Sequence, residues 1–135
     1  GLPQVAAGDH ILIELTVYHP RYVYLSGESP VTVYTPAMPG FTFLEKKIEM
    51  KTPSFPMIIN CSIDRNAPRG KNVIKLGVKV TYTDKADEST SHKNALLEVP
   101  VQVIGMTTQR MPQNVNIPLE HYLELDTGIE VKDPQ

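Results

Sequence analysis

The sequence predicts an all-β fold in which two antiparallel sheets pack face to face. Three observations lead to this prediction. Several segments alternate apolar and polar residues with a period of two, which is the pattern of a half-buried strand. Twelve prolines and eight glycines stand between these short apolar runs, as turn residues do in all-β proteins. The connections are too short for the helical crossovers that join neighbouring parallel strands.

The first strand is predicted over residues 9–18, and the dipeptide His19-Pro20 ends it because proline cannot donate to a ladder. Its inward face is apolar and consists of Ile11, Ile13, Leu15 and Val17. Two shorter strands are predicted at 22–25 and 31–34, on either side of a turn. The pair Pro39-Gly40 is a strong turn signal.

The middle of the chain predicts three more extended segments. Residues 41–51 alternate, and residues 57–63 are apolar and β-branched with Cys61 among them. Residues 64–70 form a tight connection to the clearest strand of all, at 73–83. The inward residues of that strand are Ile74, Leu76, Val78, Val80 and Tyr82.

The last part of the sandwich is predicted as a polar loop at 84–93 followed by a strand. That strand turns Leu97, Val99, Val101 and Val103 inward. Pro100 lies within it, which indicates either an edge strand or a bulge. About seven strands in roughly 100 residues are typical of an immunoglobulin-like sandwich, and we place this domain at residues 1–105.

The pattern weakens after Gly105, and residues 106–135 are predicted to be a C-terminal extension or linker. Within it, residues 107–116 are polar, and residues 117–125 fit either one short strand or a single helical turn. Residues 127–135 are expected to fray.

Composition excludes several classes of function. The formal net charge of −2 offers no general attraction to phosphate backbones, so we expect no nucleic-acid partner. No apolar run reaches the roughly 18 residues that a membrane span needs. A single cysteine, Cys61, leaves no intramolecular disulfide and no multi-cysteine zinc site.

Catalytic motifs are missing from the sequence, and we predict no catalytic residue, no cofactor, no metal site and no enzymatic activity. There is no Gly-x-Ser-x-Gly elbow and no glycine loop for a phosphate. Cys61 lies in an apolar strand, where thiols are usually inert. The four histidines and five methionines form no close pair. Asn60-Cys61-Ser62 fits the glycosylation pattern Asn-x-Ser, which we interpret as a chance match.

The tyrosines are the most suggestive feature, since tyrosine offers large and stiff contacts at recognition surfaces. An aromatic cluster is formed by Tyr18, Tyr22, Tyr24 and Tyr34. The predicted partner-binding residues are three of these tyrosines and the charged residues of the 84–93 loop: Tyr22, Tyr24, Tyr34, Asp84, Asp87, Glu88 and His92.

Two stretches carry a family resemblance. The turn Ala67-Pro68-Arg69-Gly70 leads into the strand that ends at Tyr82, and a polar loop then leads to Val99-Pro100-Val101. This layout resembles the amino-terminal periplasmic domain of the thiol:disulfide interchange protein family, over roughly residues 8–104. Redox-active members carry two cysteines in the loop after that tyrosine, and this loop has none, so dithiol exchange there is chemically impossible.

The resemblance implies a periplasmic or extracellular setting and a protein partner. We therefore predict a non-catalytic interaction or assembly domain, a piece of a larger envelope protein. Three alternatives stay open: a copper-binding sandwich that uses histidine and methionine, a redox protein acting through Cys61, and a carbohydrate-binding module. The last would have to use tyrosine as its sugar platform, because the chain has no tryptophan.

Overall fold

A computed structural model describes residues 1–107 and 109–125, and these residues form ten strands and no helix. The all-β prediction is therefore confirmed for this part of the chain. The strands are β1 (Gln4–Val5), β2 (His10–Tyr18), β3 (Val23–Leu25), β4 (Val31–Tyr34), β5 (Phe41–Phe43), β6 (Lys47–Met50), β7 (Met57–Ile63), β8 (Gly70–Asp84), β9 (Thr90–Val103) and β10 (Asn114–Tyr122).

The strands form two sheets. The first sheet has the order β1-β9-β8-β4-β6, with β3 also paired to β8, and the second has the order β10-β2-β7-β5. Alternating residues of both sheets meet in one hydrophobic cluster. Ile11, Ile13 and Leu15 of β2 and Ile74 and Leu76 of β8 are fully buried in it, as their alternation predicted. Burial of such side chains is the main favourable contribution to folding.

Both sheets are mixed, so the expectation of purely antiparallel sheets is wrong. β1 runs parallel to β9, and β10 runs parallel to β2 over nine residue pairs. The argument from short connections holds only for strands that follow one another in the chain. β2 and β10 are far apart in sequence, so their parallel pairing needs no crossover helix between them.

Two local predictions are also corrected. The polar segment at 84–93 is mostly strand: β8 continues to Asp84 and β9 begins at Thr90, which leaves only residues 85–89 as the turn. Cross-strand pairing can hold polar residues in a hairpin without a core beneath them. The alternating segment at 41–51 divides into β5 and β6, which belong to different sheets.

Pro100 lies in β9, which stands between β1 and β8 and is therefore not an edge strand, but the two residues of β1 pair only with Gln102 and Val103. Gln102 and Ile104 donate their backbone N–H groups to Pro3 and Val5, on the side of β9 away from β8. Pro100 is two residues before Gln102, so the N–H group that proline lacks would point to the same side of β9, where β1 does not pair with Pro100. β8 and β9 pair without interruption across this position, which excludes a bulge.

β10 lies beyond residue 105, within the segment predicted to be an extension or linker. It pairs with β2 along its whole length, and Ile117 and Leu123 are buried. Of the two alternatives for residues 117–125, a strand is present from Asn114 to Tyr122. The predicted fraying of 127–135 lies outside the described residues.

A buried ion pair fixes the connection between β9 and β10. The Asp9 side chain is 0% exposed, and Arg110 donates to both of its oxygens, at 2.7 and 2.9 Å. The backbone N–H groups of Ala6 and Gln113 donate to the same carboxylate, at 2.9 and 3.0 Å. Burial raises the pKa of Asp9, but these hydrogen bonds and the positive charge of Arg110 outweigh it, so the pKa is lowered.

Gly40 marks a close approach between two loops. Its φ is +78°, and a β-carbon at this position would overlap the backbone of Ala67. Only glycine adopts this φ without strain and has no β-carbon to collide with Ala67. Gly40 is therefore needed both for the turn and for the close packing of the two loops.

Candidate functional site

The predicted partner-binding residues lie on one side of the molecule. All seven are on the β8–β9 hairpin, or on β3, β4 and the residues beside them, which pair with β8. The structure divides them into two groups. Five residues, Tyr22, Tyr24, Asp84, Asp87 and Glu88, gather at the hairpin tip, whereas Tyr34 and His92 lie further down the outer face of the first sheet.

The carboxylates at the hairpin tip hold the turn together. Asp84 Oδ1 accepts the backbone N–H of Ala86 at 2.8 Å. Asp87 Oδ1 accepts both the hydroxyl and the backbone N–H of Ser89, at 2.7 and 2.9 Å. Both hydrogen bonds lower the pKa of Asp87, and the bond from the Ser89 hydroxyl has the larger effect. Local bonds of this kind are typical of aspartate in turns.

Two tyrosines reach the tip from β3 and the turn before it. Tyr24 pairs with Thr83, and its hydroxyl donates to Glu88 Oε1 at 3.2 Å. The backbone oxygen of Tyr22 accepts the N–H of Lys85 at 2.9 Å. Both side chains remain more than two-fifths exposed, at 41% for Tyr24 and 43% for Tyr22. The tip therefore combines two accessible aromatic rings with carboxylates.

The second group borders a shallow depression of about 400 Å³ on the outer face of the first sheet. Tyr34 and His92 line it together with Lys79 and Asn94. Tyr34 pairs with Gly77, which has no side chain to cover the ring, and Tyr34 stays 44% exposed. The Lys47 ammonium lies 5.9 Å from the centre of that ring, within the range of a cation–π contact.

The two groups are neighbours but not one pocket. Tyr34 pairs with Gly77, and the turn begins only after Asp84. At about 3.3 Å per residue, the depression extends along the hairpin from roughly 10 Å below Asp84, at His92, to roughly 20 Å below it, at Tyr34. One broad surface can contact a protein partner at both places, since a specific interface covers about 800 Å² on each side.

Cys61 lies in the core. Its side chain is 0% exposed. Burial, with a smaller effect from the charge of Asp64, raises the pKa of the thiol to about 12. The thiolate is the reactive form of cysteine, so this side chain is held in its unreactive state at neutral pH.

The histidines do not come together. Among the described residues, no three potential ligands from His, Cys, Asp and Glu form a group that could hold a metal ion. His10 lies between Asn60 and Ser62 on the outer face of the second sheet, at 3.2 Å from Asn60 Oδ1 and 3.4 Å from Ser62 Oγ. The serine–histidine distance is longer than the 2.6–3.2 Å of an activated nucleophile. His121 is partly buried, and burial lowers its pKa against the opposing charge of Glu124.

Sequence reasoning missed one aromatic feature. Tyr18 and Tyr122 end the parallel pair β2–β10, and their rings stack with centres 4.8 Å apart and planes 15° from parallel. Both hydroxyls donate to Glu120, each at 3.4 Å. The alternation of β2 placed Tyr18 on the outer face, but Tyr122 lay in a segment without a clear period. Only the pairing of β10 with β2 brings the two rings together.

No protein-family model and no curated protein sequence matches the chain. Neither comparison links it to the thiol:disulfide interchange protein family, and that resemblance stays a prediction. No helix that is long and apolar enough to cross a membrane occurs in the described part of the chain.

Proposed function

We propose that this chain is a non-catalytic interaction or assembly domain with an immunoglobulin-like arrangement of its two sheets. It works outside the cytoplasm, in the periplasm or at the cell exterior, as part of a larger envelope protein. The observation that supports this proposal best is the surface formed by the β8–β9 hairpin and its neighbours. That surface presents Tyr22, Tyr24 and Tyr34 half-exposed on paired strands or directly beside them.

A rigid sheet suits tyrosine as a binding residue. Ring burial contributes strongly to an interface, while the loss of side-chain freedom is small for a residue with two rotatable bonds. Tyr24 is held further by its bond to Glu88, and Tyr34 by its cross-strand neighbours. A partner therefore meets a surface that is already ordered, which reduces the entropic cost of binding.

The chemistry of the core also supports binding rather than catalysis. The single thiol is buried and protonated at neutral pH. The carboxylates of Asp84 and Asp87 form hydrogen bonds within the turn, and the depression beside Tyr34 is open and shallow. A protein partner can use such a surface, whereas a small substrate usually needs a concave site that encloses most of its area.

Pull-down from an envelope extract of the source cells tests the proposal. The wild-type chain is compared with the double variant Tyr24→Ser/Tyr34→Ser. A matched control is Leu44→Ser/Met111→Ser, which removes two apolar side chains that are 73% and 75% exposed elsewhere. We expect one or more proteins to be retained by the wild type and the control and lost from the tyrosine variant.

Thermal melting of all three proteins must first show that they fold. If the tyrosine variant folds and retains the same proteins as the wild type, the proposed surface is wrong. If the chain is found in the cytoplasmic fraction of the source cells, the proposed location is wrong.

A further inference from the structure

The stacked pair Tyr18 and Tyr122, with Glu120, stands at the open edge of the second sheet; we call this group the edge tyrosine site. β10 is the last strand of that sheet. Tyr18 stacks on one face of the Tyr122 ring, so the exposed area of that ring lies on its other face and its edges. Tyr122 is 57% exposed and Tyr18 is 41% exposed. An aromatic face is therefore open to a ligand beside a carboxylate.

The second sheet is anionic on its outer side. Its strands carry Glu14 and Glu120, and none of them contains a lysine or an arginine. Five lysines lie on strands of the first sheet: Lys47, Lys71, Lys75, Lys79 and Lys93. Of these, Lys93 borders a cavity that Tyr122 also lines, and it donates to the backbone oxygen of Glu124. In the described part of the chain, no basic side chain lies within 4.0 Å of the Glu120 carboxylate. Its hydrogen-bond donors are two neutral phenols, which leave its negative charge uncompensated.

The carboxylate also has room for another partner. Each oxygen of Glu120 accepts one long bond, at 3.4 Å, from a tyrosine hydroxyl. An ionised carboxylate has about four acceptor positions, so roughly two remain free. The charge of Glu120 is the main reason why the pKa of Tyr122 is raised. A phenol is neutral at pH 7 even without this shift, so the Tyr122 hydroxyl keeps the proton that it donates to Glu120.

We infer that the edge tyrosine site binds a guanidinium group, the side chain of an arginine in a basic segment of a partner protein. A guanidinium is planar, stacks on an aromatic face and donates two parallel hydrogen bonds to one carboxylate. The open face of Tyr122 and the free positions of Glu120 match these two properties. A lysine ammonium would satisfy the charge but not the bidentate geometry.

This inference does not rest on the proposed function of the first sheet. The edge tyrosine site belongs to the second sheet, and its residues are outside the surface that carries Tyr24 and Tyr34. An experiment can therefore disprove the inferred arginine site without disproving the proposed function of the first sheet, and the reverse also holds.

A titration with a small arginine probe tests the inference. The probe is acetyl-Gly-Arg-Gly-amide, and its matched control is the same peptide with citrulline, which keeps the shape and removes the charge. Ring signals of Tyr18 and Tyr122 are followed by NMR at low salt. We expect saturable shifts with a dissociation constant on the order of 1 mM, and at least about tenfold weaker binding of the citrulline peptide.

Variants assign the binding to this site. Glu120→Gln and Tyr122→Leu should each weaken binding about tenfold, while Tyr122→Phe, which keeps the ring, should change it by about twofold at most. Glu98→Gln removes the charge of a carboxylate on the first sheet, outside the edge tyrosine site, and should leave binding unchanged. Thermal melts confirm that each variant folds.

Three results would overturn the inference. The first is equal shifts with arginine and citrulline peptides. The second is unchanged binding by folded Glu120→Gln. The third is a change in the Tyr122 signals when the protein alone is diluted, because this would show that a second copy of the chain occupies the site.

Discussion

Replacing Asp9 by alanine should destabilise the protein more than almost any other polar substitution. The carboxylate is fully buried and accepts four hydrogen bonds, two from Arg110 and one each from the backbone of Ala6 and Gln113. The variant leaves two backbone N–H groups without an acceptor, at about 1–3 kcal/mol for a buried one. It also leaves a guanidinium that is only 16% exposed without its partner.

We expect the free energy of unfolding to fall by about 4 kcal/mol, within the range for breaking a buried ion pair. For a chain of this size, that is a decrease in Tm of roughly 15 °C. Chemical denaturation and calorimetry measure both quantities. Asp87→Ala is the control, because this carboxylate bonds only to Ser89 in an exposed turn, and it should change stability by about 0.5 kcal/mol or less.

A double variant examines the pair itself. Adding Arg110→Ala to Asp9→Ala should cost much less than Arg110→Ala costs alone, because the interaction has already been lost. If Asp9→Ala and Asp87→Ala destabilise the protein equally, or if the effects of Asp9→Ala and Arg110→Ala simply add, the reasoning about the buried pair is wrong.

The same carboxylate predicts a dependence on pH. The pKa of Asp9 is lowered in the folded protein relative to its ordinary value of 3.8. Its ionised form therefore adds stability that is complete above about pH 5 and is lost as pH falls through the folded pKa. The stability difference between wild type and Asp9→Asn should be constant from pH 5 to about pH 8 and should shrink below about pH 4. A difference that grows in acid would contradict this assignment.

Three further predictions concern other parts of the structure. Gly40→Ala should cost about 3 kcal/mol or more from strain and overlap, while Gly70→Ala, with positive φ but open space around it, should cost about 1–2 kcal/mol; equal costs in denaturant melts would disprove the close approach. Cys61 should react with iodoacetamide at pH 8 at least about 100-fold more slowly in the native than in the denatured protein, and rapid native labelling would show that it is accessible. Spectrophotometric titration should find a raised pKa for Tyr122 that returns toward its usual value in Glu120→Gln; no change in this variant would exclude Glu120 as the cause.

The strands that alternate most clearly could be predicted, and the reason is local. Ile11, Ile13 and Leu15 alternate with more exposed residues, and they are buried as expected. Successive side chains of a strand point to opposite faces, so a strand that is buried on one side shows alternating apolar and polar residues in its sequence. The polar arms of the β8–β9 hairpin were predicted as loop because they cover no core and have no such alternation.

The candidate surfaces were only partly predictable. The sequence predicts both Tyr24 and Glu88 as partner-binding residues, but their hydrogen bond depends on the pairing of β3 with β8. The edge tyrosine site was missed because its two rings come from strands about 100 residues apart, and the 3.4 Å bond from Tyr18 to Glu120 spans that separation. No periodicity within either segment reports which strand will lie beside it.

The sequence by itself determined that this protein is built from strands, which of their faces are apolar, and where most turns fall, because these properties depend on neighbouring residues. Only the tertiary structure decided which strands share a sheet, that two pairs run parallel, and that Arg110 meets Asp9. Such partners are chosen by how the whole chain buries its apolar faces and satisfies its buried polar groups at the same time. Strand pairing and contacts such as Asp9–Arg110 depend on residues that are far apart in the chain, so no short segment of sequence predicts them.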